Sequence, residues 1–209
     1  MSDPLQPDLD KAERRAARYW IQDGLNEITV GVLIALVGVY LALESTVPRT
    51  APLRTWIAFG LLVLVAGLGL GARRVVLALK DRYVHPRTGY VALRQTNPKS
   101  RWLAGLLGGV IAALFVIIAR APAVVAWIPA IQGLVFGFLF FAGWSKVELT
   151  RFLVEGLLCA LAGLGISLLG IDGGLAFGLV FVWAGLVMGV GGVLAFRTYQ
   201  RTAPGRVDA

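Results

Sequence analysis

Apolar residues in this chain come in long runs, without the alternation of a half-buried strand. Six stretches, 25 to 43, 55 to 72, 102 to 119, 123 to 144, 152 to 170 and 175 to 196, contain at most one charged residue each. A helix needs about 20 such residues to cross roughly 30 Å of hydrocarbon, and a soluble core needs no run of this kind. The links after the third and fifth runs are only a few residues long, so each must join antiparallel neighbours. The pattern therefore predicts an all-α fold, a polytopic membrane helical bundle of about six transmembrane helices spanning 23 to 196. Segment 1 to 22 precedes it as a cytoplasmic amphipathic region, and 197 to 209 follows as a tail.

The ends of the runs set the orientation. One side of the alternation carries four Lys and Arg in the N-terminal segment, eight in 73 to 101, two in 145 to 151 and three after 196. Arg49, Arg54 and Arg120 are all that fall on the other side. By the positive-inside bias, seventeen against three predicts both termini in the cytoplasm. The first run begins only near Leu25 and is long enough to span, so it reads as an uncleaved anchor.

Composition narrows the classes. Hydrophobic residues are 57% of the chain and charged residues 15%, far from globular norms. The net charge of +8 borders apolar runs and lines no recognition helix, which points to headgroups and not to nucleic acid. With one Cys and one His the chain lacks the ligands for a structural zinc, disulfide or iron–sulfur framework. Cys159, inside an apolar run, reads as a small buried hydrophobe. No cofactor is expected.

Near the N-terminus, Asp10 and Glu13 form a capping-box spacing. Ala12, Ala16, Tyr19 and Trp20 then share a face, with Lys11, Arg14, Arg15 and Arg18 around the other, as in a helix lying on a membrane surface. Arg73 to Arg82 extends the second helix beyond the headgroups, and Tyr83 to Val91 forms a cytoplasmic turn or short hairpin around Pro86 and Gly89. Arg82, His85, Arg87 and Thr88 converge there as a candidate site for an anionic headgroup or partner; a purely structural turn explains them too.

Asp23, Asn26, Glu27 and Glu155 form a candidate polar cluster at the cytoplasmic interface. Capping and local pairing account for it, with Arg151 four residues before Glu155. A pocket for a cationic group is the functional alternative. Mid-span, charged residues are absent, which disfavours an ion-coupled transporter. Gln132 is the candidate deep polar residue, three positions after Pro129, placed either to bond a neighbouring helix or to line a small cavity.

A shift of 132 positions lays Asp23-Gly24-Leu25 over Glu155-Gly156-Leu157, Gly31 over Gly163 and Gly38 over Gly170, a faint repeat. Glycines four apart, at 67 and 71, 105 and 109, 133 and 137, and 185 and 189, permit close helix approach within the chain or across a homo-oligomer seam. No nucleophile partners His85, no zinc-binding helix motif occurs, and paired carboxylates at depth are lacking, so the chain does not read as an enzyme.

Asp23-Gly24-Leu25 at the entry to the first span, together with Pro86-Arg87-Thr88-Gly89-Tyr90-Val91, resembles a group of uncharacterised bacterial multi-span membrane proteins. The resemblance covers the first half of the chain and implies a bacterial inner membrane. Taken together, these features predict a non-enzymatic membrane protein whose basic cytoplasmic face binds anionic lipid or a partner. The alternative is a small-solute transporter or channel.

Overall fold

The computed structural model describes residues 21–48, 50–83, 122–171 and 173–202. Every regular element among them is a helix. In chain order they are α1 (Leu25–Thr46), α2 (Leu53–Tyr83), α3 (Pro122–Val125), α4 (Ile128–Val147), α5 (Arg151–Leu168) and α6 (Gly173–Thr202). Helices α1, α4, α5 and α6 are each long and apolar enough to cross a membrane. The expected N-terminal surface helix and the run at 102 to 119 lie outside the described residues, as do the last residues of the tail; of the turn expected over Tyr83 to Val91 only Tyr83 is described, and it is the last residue of α2.

The bundle is apolar on its outside. Phe59, Val63, Leu134, Phe138, Leu157 and Leu168 are all more than half exposed, while the least exposed positions include Ala176, Ala184 and Cys159. Soluble folds invert this arrangement, because water drives large apolar groups inward. In hydrocarbon no such drive exists, and helices associate where small residues let their backbones approach.

The α1–α6 pair shows this most clearly. Gly24, Gly31 and Gly38 on the first helix face Gly192, Gly185 and Gly178 on the last, so the two run antiparallel. Each side repeats every seven residues, a spacing that a left-handed supercoil keeps on one face. A Cβ at any of these six positions would meet the opposing backbone. Gly24 is doubly required, since its φ of 73° lies in the left-handed region at the start of α1.

Helices α4 and α5 form the second close pair, through Gly133 against Gly163 and Gly137 against Gly156. The sharp return between them is made by Glu148, at φ 55°, immediately after α4. Phe136 and Phe181 meet edge-on at 5.3 Å and join α4 to α6. Thus Gly24 with Gly31, and Gly156 with Gly163, all serve as packing contacts. The alignment breaks at its third glycine: Gly38 is inside a helix seam, whereas Gly170 is a left-handed residue just past α5 with open space around it.

Two further details differ from the hydropathy pattern. A turn at Ala126 and Trp127 separates α3 from α4, and Pro129 is the second residue of α4, where its missing N–H breaks no helical hydrogen bond. The neighbouring Ala130 N–H donates to the Ser167 hydroxyl at 2.9 Å, which satisfies one of the orphan donors of that helix start. At the far end α6 continues to Thr202, so the start of the tail is helical; at 30 residues it is about 45 Å long and outreaches the hydrocarbon.

Candidate functional site

The antiparallel pairings bring the start of α1, the end of α2, the end of α4, the start of α5 and the end of α6 to one end of the bundle. Ionisable residues gather there and are buried. Asp23, Glu27, Glu155 and Lys80 are each at most 3% exposed.

Asp23 stands just ahead of α1. Its Oδ1 accepts the Leu25 N–H at 3.0 Å, capping the helix, while Oδ2 accepts from Lys80 Nζ at 2.6 Å. Lys80 is one turn beyond the buried Val76 on α2, which carries it inward under the bundle. Charge alone had assigned Lys80 to the cytoplasmic basic segment. The signal that finds it is helical: positions 76 and 80 share a face.

Arg151, the first residue of α5, donates to Glu27 Oε1 at 2.6 Å and to the Ile21 carbonyl at 2.7 Å. The four-residue spacing permits a pair with Glu155; in the structure Arg151 bonds Glu27 instead. An arginine preceding its acid by one turn is the weaker orientation of such a pair, and the start of α1 offers the guanidinium two acceptors at once. Glu155 is left with neither carboxylate oxygen hydrogen-bonded among the described residues, and Glu27 Oε2 is in the same state. Glu155 Oε1 occupies the space a side chain at Gly191 would need. Asn26 is half-buried beside Glu27.

A cleft of ≈ 330 Å³ opens at this end along α6, bordered by Arg151 at the start of α5 and Gln22 ahead of α1. Gln22, Arg151, Thr198, Tyr199 and Thr202 give it polar walls, and Gly191, Leu194 and Ala195 line its apolar part. Arg82 is exposed at the end of α2, and Arg197 and Arg201 are exposed on the last turns of α6. His85, Arg87 and Thr88, expected to converge with Arg82, lie outside the described residues.

The opposite end is simpler. Glu44 and Arg54 pair at 3.3 Å across the α1–α2 connection, both partly exposed. Trp56 and Trp127 are exposed there, where amphipathic rings favour a headgroup layer. Gln132 is 5% exposed in α4 and donates through Nε2 to the Phe177 carbonyl of α6 at 3.3 Å. It therefore bridges two helices.

Comparison with protein-family models, with curated proteins and with solved structures finds no match to this chain.

Proposed function

We propose that this chain is a multi-pass protein of a bacterial cytoplasmic membrane, with six crossings and both termini inside, that holds anionic lipid headgroups at its cytoplasmic end without catalysing a reaction. The observation that carries this reading is the cleft along the end of α6. It has an arginine and three hydroxyl-bearing side chains on its polar walls and an apolar part beside them, the amphipathic order of a phospholipid at its headgroup. Arg197 and Arg201 add charge on the same end of α6, and the Arg82, His85, Arg87 and Thr88 segment adds more from the sequence beyond α2. The resemblance carried by the Asp23-Gly24-Leu25 entry and the 86 to 91 segment supports the bacterial inner membrane. Gln132, on which a solute path would depend, donates its amide nitrogen to the Phe177 carbonyl as an interhelical bridge does, which favours this reading over a transporter or channel.

Native mass spectrometry of the detergent-purified protein tests the proposal. Phosphatidylglycerol-type lipid should be retained over zwitterionic lipid. Ala195→Trp, which fills the cleft, and the double variant Arg197→Ala with Arg201→Ala should each reduce that retention several-fold, as should Arg82→Ala with Arg87→Ala. Retention unchanged in all three would overturn it.

A further inference from the structure

Among the described residues, the buried ionic end is one positive charge short. Asp23 is matched to Lys80 and Glu27 to Arg151, each pair at 2.6 Å. Glu155 is equally buried, at 3% exposure, and receives no cation and no hydrogen bond from any described residue. An ionised carboxylate in that state keeps most of its desolvation cost, offset only by the Arg151 charge already bonded to Glu27. The deficit calls for a ligand that brings one positive charge and needs little room.

The surroundings narrow the choice to a proton. Among the described residues no three His, Cys, Asp or Glu side chains stand at metal-holding spacing. Among the described residues the charges that act on Glu155 are Glu27 from α1 and Arg151 on its own helix, with the Asp23–Lys80 pair beyond Glu27 and the Cys159 thiol one turn further along α5. Helix α6 presents the bare backbone of Gly191 to the carboxyl, and α4 meets this turn of α5 with Phe140, its Lys146 lying exposed at the helix end. Gly191 is also a wall of the cleft, so the Glu155 carboxyl sits directly behind a surface that opens at the bundle end.

We propose that Glu155 is a proton-binding site served from this cleft, with Arg151 shared between Glu27 and Glu155. With the proton bound, Glu155 is neutral and Arg151 stays on Glu27, the arrangement seen. When the proton leaves for water in the cleft, the new carboxylate lies one turn from Arg151 on the same helix, within reach of the guanidinium. The inference is independent of lipid binding in the cleft.

Infrared difference spectroscopy of the full protein in lipid nanodiscs, titrated with acid and base, tests it. The expected result is a protonated-carboxyl C=O band that shifts in deuterated water and vanishes in Glu155→Gln. A wild-type protein without the band, or a band that persists in Glu155→Gln, would overturn the proposal. Should that variant fail to fold, an apolar carbodiimide decides on the wild type. The acid's proton passes to a carbodiimide nitrogen, its oxygen bonds the central carbon, and the adduct rearranges to an N-acylurea with no leaving group. Peptide mass mapping that places this adduct on Glu155 supports the site; an adduct elsewhere, or none, sinks it.

Discussion

Gly31 of α1 and Gly185 of α6 stand face to face: a Cβ on Gly185 would come within 2.5 Å of the Gly31 carbonyl oxygen, and one on Gly31 within 2.7 Å of the Gly185 oxygen. Neither helix can yield, because the obstacle on each side is backbone. Gly24 with Gly192 and Gly38 with Gly178 repeat the relationship one heptad away in each direction. This seam joins the first described helix to the last and closes the bundle.

Gly31→Leu or Gly185→Leu should accordingly cost about 3 kcal/mol or more, at or beyond the upper range of overpacking. Gly67→Leu, at a helical glycine with open space around it, serves as the control and should leave stability nearly unchanged. Thermal melting in detergent, followed by size-exclusion chromatography, reads both. Equal loss in the control and the seam variants would refute the assignment.

The ion pairs Asp23–Lys80 and Glu44–Arg54, at opposite ends of the α1–α2 pair, should behave very differently. Asp23→Asn keeps the cap on Leu25 but removes the buried carboxylate charge that faces Lys80, for which about 3–5 kcal/mol of destabilisation is expected. Arg54→Ala removes a partly exposed partner of Glu44 and should change stability by no more than about 1 kcal/mol. Denaturant titration in mixed micelles separates the two; a mild Asp23→Asn would mean that the Lys80 pair is not formed.

Gln132→Leu removes one hydrogen bond between α4 and α6, together with an amide oxygen that has no partner. Interhelical hydrogen bonds in membranes average about 0.6 kcal/mol, so the variant should fold with stability within roughly 1 kcal/mol of the parent. Loss of the folded state would assign Gln132 a larger role than a single bridge.

Cys159, the sole cysteine, is 1% exposed. A maleimide dye should therefore label it only as the bundle opens, with a labelling midpoint that matches the thermal melt. Rapid stoichiometric labelling of the native protein would contradict its burial.

Much of this architecture is legible in the residue order. Hydrophobic runs of bilayer length make helices long and apolar enough to cross a membrane, with Leu, Val and Phe exposed on the outside of the bundle. The extension of the second helix through Arg82 follows equally from a local pattern, the apolar residues 75 to 79 continuing the helical face. These are properties of single segments, set by length, hydropathy and the demand that backbone hydrogen bonds be met within each span.

What the tertiary structure alone decided is pairing. The seven-residue spacing of Gly178, Gly185 and Gly192 is visible along the chain, but that it meets the same spacing at Gly24, Gly31 and Gly38 is a relation between helices about 150 residues apart. Likewise, Arg151 is four residues from one acid and over a hundred from another, and it bonds the distant one. Sequence spacing measures reach along one helix, whereas a buried charge takes the acceptor that packing delivers. That is why Lys80 is found beneath Asp23 while Glu155 is left unpaired.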